Sequence, residues 1–289
     1  MPPDSDNESR LFGLVDAILP KDMAKRAERA GAEKAGQDGL SLLALAALAG
    51  AYIAFGATFA ATVTAGFGGD VPVGLGKMLG GVAFSLAYVL AIVGGAELFT
   101  TNNLMVMAWA HGRLSTRGLL RAWGIVFVGN FAGAVATGVM LIIAGQHQEA
   151  GGAVGAALLD SAARIQGLSL VEALFLGILG NTLLCLGVWL TYSGRSTTDR
   201  ILALTPPVAA FYALGLEHAI AVMFYLPCAA VIGLLAEPGF WAAIEVQPLA
   251  VSAGGLLRVL LPVTLGNVIG GGFLVALVYW FVYLRPGRV

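Results

Sequence analysis

The sequence predicts an all-α membrane protein in which six transmembrane helices form two inverted three-helix repeats, with the second and fifth helices broken. Three observations predict it. First, 58% of the 289 residues are apolar, only 11% are charged and 40 are glycine, a balance far outside that of soluble domains. Second, six apolar stretches, near residues 40–64, 76–110, 118–144, 168–193, 201–235 and 256–284, each reach the ~20 residues a helix needs to cross a hydrocarbon core of about 30 Å. Third, the second and fifth stretches are too long for one simple crossing. Both carry Gly-x-Glu in mid-run, as Gly95-Ala96-Glu97 and Gly215-Leu216-Glu217.

Taken in order, residues 1–38 are polar and hold six of the sixteen Lys and Arg residues, with no apolar core of the secretory kind, so this segment is expected to stay in the cytosol. Within it Leu11, Phe12, Leu14, Val15, Ile18 and Leu19 recur at helical spacing. They predict a short amphipathic element that either anchors at the interface or plugs a mouth. Residues 39–285 form the six-helix transmembrane domain and residues 286–289 a short cytoplasmic tail. All but three of the basic residues fall on the side that holds both termini, and only Lys77, Arg164 and Arg258 fall near the other. The positive-inside bias then places both termini in the cytoplasm, with an even number of crossings of the inner membrane. Cys185 and Cys228 lie in apolar runs and read as packed thiols. No metal motif, cofactor fingerprint or nucleic-acid footprint is present in the sequence.

The third and sixth stretches share a Gly-Asn followed by small residues, GNFAGA from Gly129 and GNVIGG from Gly266. These matches and the two Gly-x-Glu sites fall in the same order in two halves of three spans. Three is odd, so the halves have opposite orientation, and overlong Gly-interrupted members of such repeats point to broken helices meeting near the midplane. Irregular backbone survives in hydrocarbon only where protein or water satisfies it, so breaks suggest a pore. At the first break Gly94 and Gly95 permit the turn, and Thr100, Thr101, Asn102 and Asn103 offer partners. The second is flagged by Gly215, Glu217 and His218, with Pro227 farther on.

A carboxylate at mid-membrane is costly, about 2.5–3.5 kcal/mol on insertion scales, and faces a cavity or a partner. For Glu97 and Glu217 the sequence favours a structural task, accepting backbone N–H bonds freed by the breaks, over contact with an anionic solute that they would repel. His218 follows a break in a chain with three histidines, of which His111 and His147 lie in polar turns. In a dry setting an anion and a proton on the imidazole stabilise one another, so affinities for both rise together.

The runs GAELFTTN, GNTLLCLGVWLTYSGRSTTDR, GLEHAIAVMFYLP and PVTLGNVIGGGFLVALVYWFVYLR resemble the formate/nitrite transporter family from about Leu11 to the C-terminus. The resemblance implies a homopentamer of aquaporin-like protomers, each with its own pore for small monovalent anions such as formate, nitrite or hydrosulfide. It assigns His218 as the central pore histidine and Thr100 as the threonine facing it. Leu98 and Phe211 become the outer apolar constriction, Phe84 and Tyr88 the inner one, and Asn181 and Asn267 polar groups of the pore wall. Three positions depart from the family pattern. Val222 stands where an asparagine is usual, Tyr88 where a leucine is common, and Arg164 is the nearest cation to an expected outer lysine.

The mechanism expected on this basis is entry of a monovalent anion, formate first among them, past an apolar constriction to Thr100 and His218. There a proton makes it the neutral acid. A rival within transport has His218 attract anions with no proton moving. A membrane enzyme using Glu217 and His218 as an acid/base pair is disfavoured, because adjacent residues on a regular helix project in different directions.

Overall fold

The computed structural model describes residues 17–67, 71–244, 246 and 248–286, and every regular element among them is helical. In chain order these are α1 (Pro20–Gly36), α2 (Gly39–Thr64), α3 (Val73–Gly94), a 3-10 turn (Thr101–Met105), α4 (Val106–Ala110) and α5 (Thr116–Ile143). After a second 3-10 segment (Gln146–Gly152) come α6 (Ala153–Gly167), α7 (Leu170–Thr191), α8 (Thr197–Ala213), α9 (Ala219–Leu235) and α10 (Pro238–Ile244). The chain ends in α11 (Ala253–Asn267), a π-helical stretch (Val268–Leu277) and α12 (Val278–Tyr283).

Five helical runs, Gly39–Thr64, Val73–Gly94, Thr116–Ile143, Leu170–Thr191 and Ala253–Tyr283, are each long and apolar enough to cross a bilayer. They coincide with the first, third, fourth and sixth stretches expected from sequence and with the first part of the second, whose remainder forms the 3-10 turn and α4. The fifth stretch is divided into α8 and α9, of 17 residues each. Neither alone spans ~30 Å at 1.5 Å per residue.

Helix starts follow short-range chemistry. Asp38 caps α2 by accepting from the Leu40 and Ser41 amides at 3.1 and 2.9 Å, and the Ser41 hydroxyl and amide hold its carboxyl below the usual carboxylate range. Ser115 and Ser252 cap α5 and α11. Ser169–Glu172 and Ser196–Asp199 form reciprocal capping boxes at α7 and α8, each satisfying two otherwise orphaned amides.

Among the elements that went unforeseen, two pack against the breaks. Within residues 1–38 the chain forms the 17-residue helix α1, whose Gly31 sits against Met105 and Ala108. Of the amphipathic element, Leu11, Phe12, Leu14 and Val15 lie outside the described residues. Ile18 is buried and its amide donates to the Ser193 carbonyl at 3.1 Å, while Leu19 is exposed at the start of α1. The second is α6, which buries Val154, Leu158, Leu159, Ala162 and Ile165. At 15 residues it is too short to cross, and its single apolar face gives no long hydropathy signal. His147, expected in a polar turn, is buried with its ring 5.1 Å from that of Phe240.

Packing of the long helices depends on small residues. A Cβ at Gly50 would overlap the Asn130 carbonyl and one at Gly133 the Ala47 carbonyl, so α2 and α5 touch through backbone. Gly266 and Gly270 meet the Leu174 and Ile178 carbonyls in the same way. Such close approach is how helices associate where lipid removes the hydrophobic driving force. Gly133→Ala is expected to destabilise the protein by about 1–3 kcal/mol as a steric insertion into a full contact. Gly124→Ala, where a Cβ meets nothing within 4 Å, should leave the melting temperature in detergent unchanged.

Candidate functional site

Both helix breaks turn on a glycine in the left-handed region, Gly95 at φ 80° and Gly215 at φ 66°. A Cβ there would be strained. The segments beyond the two glycines are built alike. The Glu97 amide donates to the Leu45 carbonyl at 3.2 Å, and the Glu217 amide to the Leu176 carbonyl at 3.4 Å. The Phe99 amide donates to Asn130 Oδ1 at 2.8 Å, and the Ala219 amide to Asn267 Oδ1 at 2.8 Å. Asn130 Nδ2 donates to the Ala46 and Glu97 carbonyls, both at 2.8 Å. Asn267 Nδ2 donates to the Gly177 and Glu217 carbonyls at 2.9 and 3.2 Å. Each break is thus fastened by one asparagine making three bonds to backbone.

The carboxylates do something other than the expected backbone bonding. Glu97 Oε2 accepts from Lys34 Nζ at 2.9 Å, and Glu217 Oε1 from Arg164 Nη2 at 2.7 Å. Lys34 comes from α1 and Arg164 from α6, the two helices that precede the long spans of each half. A buried carboxylate without a cation is strongly destabilising, so each break depends on a charge delivered from outside the spans. Asn181 and Asn267, expected in the pore wall, direct their amide N–H groups to backbone. Asn181 Nδ2 donates to the Thr100 and Asn267 carbonyls at 3.0 and 2.8 Å, so both amides hold backbone and have no N–H left for a solute. The freed Asn267 carbonyl belongs to the start of the π-helical stretch, where the regular bonding ladder is interrupted.

Counting from the two glutamates, Leu98 and His218 occupy the same place in the two breaks, between the carboxylate-bearing residue and the amide held by asparagine. Both are fully buried. The His218 ring lies 5.3 Å from Phe211, 5.9 Å from Phe84 and 6.1 Å from Tyr88 between centroids. Thr100, from the first break, is also fully buried. Four polar atoms here have no hydrogen-bond partner among the described residues: Nδ1 and Nε2 of His218, Oγ1 of Thr100 and the hydroxyl of Tyr88. Native interiors rarely leave such groups unmet.

Two cavities flank this cluster at different levels along α3. One, of about 290 Å³, is lined by Arg26, Lys34, Glu97 and Arg200 and by Ala91 and Ile92 of α3. The other, of about 240 Å³, is lined by Lys77, Asp160, Arg164 and Glu217 and by Phe84 and Phe211. From Phe84 to Ala91 the helix rises ~10 Å. Tyr88, Leu98, Thr100 and His218 line neither cavity, and Tyr88 lies between Phe84 and Ala91 on α3. Of the residues expected at the two constrictions, Phe84 and Phe211 lie together. Phe84 stacks on Phe211 at 6.2 Å and 22°, and the two floor one cavity together, because Phe84 sits one helical turn nearer the Lys77 end of α3 than Tyr88 does.

Sequence reasoning missed Lys34 and Asn130, and it noted Arg164 without its partner. The Gly-Asn matches contained the signal for Asn130. Nothing local marks Lys34 or Arg164, which lie 63 and 53 residues from their glutamates.

Long apolar helices, two of them broken and stapled, around a buried layer that separates two cavities fit an integral membrane protein of the channel and transporter class. The chain belongs to the formate/nitrite transporter family, whose model matches residues 21–281. It is 42% identical over 274 residues to the formate channel FocA of Escherichia coli strain K12, covering 93% of this chain and 96% of the relative. The formate channel FocA of Haemophilus influenzae is 34% identical over 259 residues, covering 88% and 91%. Among solved structures, one described as a pentameric formate channel with formate bound superposes with a TM-score of 0.80 at 37% identity, covering 86% of this chain and 98% of the other.

Because Asn130 and Asn267 each satisfy three buried backbone groups, Asn130→Ala and Asn267→Ala are each expected to destabilise by about 2–5 kcal/mol. Thermal unfolding in detergent should show losses of similar size for the two. A marked inequality would mean that the breaks are fastened differently.

Proposed function

We propose that this chain forms a homopentameric formate channel of the inner membrane, each protomer with its own pore, and that transport is linked to protons through His218. The observation that carries the reading is the cluster of unpartnered polar atoms on His218, Thr100 and Tyr88, buried among aromatic side chains between two cavities. The names of relatives that cover nearly the whole chain supply formate, and the pentameric neighbour supplies the assembly. Both termini lie in the cytoplasm, as the distribution of basic residues indicates. The two halves, each a helix outside the spans followed by three spans, run in opposite directions. The cavity of Lys34 then faces the cytoplasm and that of Arg164 the outside.

In this scheme an anion entering from the cytoplasm meets Arg26, Lys34 and Arg200, sheds water at the apolar layer and reaches Thr100 and His218. A bare carboxylate and a bare imidazolium are each costly in a dry passage, whereas the neutral pair is tolerated. Small carboxylic acids have pKa values near ~4 and imidazole near ~6.5 in water, so the proton transfer costs roughly 3.4 kcal/mol there. Desolvation narrows that gap. His218 delivers the proton, directly or through a water, and the neutral acid crosses the Phe84–Phe211 layer, where it loses the proton to water. Thr100 orients the solute by donating or accepting at its hydroxyl.

Purified wild-type protein in liposomes is expected to accelerate formate flux, more strongly at pH 5.5 than at pH 7.5. His218→Asn, checked for intact assembly by size-exclusion chromatography, should lose tenfold or more of the acid-side flux, with ~300-fold as the ceiling set by the proton-transfer cost. Retention of the wild-type pH profile by that variant would leave only the electrostatic role for the ring.

A further inference from the structure

We propose that the Tyr88 hydroxyl is a specificity-determining contact for the solute, selecting oxyacids that present a hydroxyl and an oxo oxygen on one centre. The inference rests on the reading of the chain as a formate channel and deepens it at the same passage. Phe84, Tyr88 and Ile92 succeed one another at four-residue intervals and so share one face of α3. Phe84 lines one cavity and Ile92 the other, so a solute moving between the cavities along this face passes Tyr88. The residue is fully buried. Its ring is clamped by Phe84 at 6.3 Å and meets His218 edge-on at 6.1 Å and 76°, which fixes where the hydroxyl points.

The Thr100 hydroxyl is the neighbour placed to bond that hydroxyl, but the pair falls short of hydrogen-bond geometry and neither group has another partner among the described residues. A buried phenol normally finds one, and packing alone would be served as well by phenylalanine. The unmet atoms come from three separate pieces of backbone: α3, the first break and the second break. Each hydroxyl both donates and accepts, and a neutral imidazole offers one donor and one acceptor nitrogen. Formic acid has an oxo oxygen that accepts and a hydroxyl that donates and accepts, so it can bond Tyr88 or Thr100 with one oxygen and His218 with the other. Nitrous acid presents the same pair of oxygens. Hydrogen sulfide is small enough to pass but makes only weak hydrogen bonds, and gains little from Tyr88.

The test is Tyr88→Phe in liposomes, with formate and hydrosulfide fluxes each measured above protein-free vesicles at one pH, alongside melting temperatures in detergent. The substitution removes one oxygen and keeps the ring. Formate flux should fall about three- to tenfold, the scale of one hydrogen bond lost, with hydrosulfide flux within about twofold of wild type. The melting temperature should hold or rise, because the oxygen has no internal partner to lose. The ratio of fluxes does not depend on how much protein is inserted. An unchanged ratio, whether both fluxes fall or neither does, overturns the inference, as does a lowered melting temperature with parallel loss of both fluxes. If wild-type protein itself passes no formate, the channel reading fails, and that outcome is distinct from a wild type that transports formate beside a variant that keeps its selectivity.

Discussion

The structure depends on one constraint: a helix cannot be interrupted inside hydrocarbon unless other groups take over its backbone hydrogen bonds. Here the same residue type solves the problem twice. Asn130 holds the first break and Asn267 the second, each with one acceptor and two donor contacts to main chain. An asparagine side chain suits this task because it carries the donor and acceptor of a peptide group and can stand in for a missing strand of backbone. With both breaks fastened in this way, the side chains that project from them are placed by rigid structure rather than by loops. Leu98 and His218 consequently occupy matching positions, one apolar and one titratable. The backbone repeats, but the chemistry it presents does not.

Charge obeys the same logic with a different result. Each break carries a carboxylate, and each carboxylate is met by a cation on a helix that precedes the spans, Lys34 on α1 and Arg164 on α6. Leaving either charge alone in the interior would cost more than the pair gains, which explains why two helices too short or too polar to cross are nonetheless bound tightly to the core. Once those pairs are set aside, the cavities differ. Among the described residues, Arg26 and Arg200 remain at the Lys34 cavity with no further carboxylate in its lining, whereas Lys77 and Asp160 offset one another at the Arg164 cavity. A low-dielectric wall focuses such a difference, so anions are concentrated more strongly on the α1 side.

The span layout is legible in the sequence because hydropathy over ~20 residues and capping chemistry are local signals, and both breaks announce themselves through Gly-x-Glu. The passage is only partly legible. His218 and Thr100 stand out as polar residues in apolar runs, but the partners that define their setting are distant in sequence and carry no motif. Helix α6 is hidden because a 15-residue segment with one buried face has neither the length of a span nor the polarity of a loop. The contact of Phe84 with Phe211 is not legible in the sequence, because residues one turn apart on α3 lie at different levels and nothing local places Phe211 against either. Asn181 and Asn267 read as pore wall because an asparagine in an apolar run signals burial near a site without saying whether it serves solute or backbone.

That distinction between serving backbone and serving solute separates the two kinds of polar residue in the core. Asn130, Asn181 and Asn267, the glutamates and their cations are bonded to protein at the breaks, and they keep the interrupted helices intact. Tyr88, Thr100 and His218 leave side-chain atoms unbonded within the protein, in a place where every unmet group lowers stability. Folding alone gives no reason to retain them, since apolar residues of the same shape would pack equally well and leave nothing unsatisfied. The stapled breaks fix the backbone from which Thr100 and His218 project toward Tyr88. Rigid, satisfied polar groups around a small unsatisfied set is the arrangement expected where a passing solute, rather than the protein, completes the hydrogen bonding.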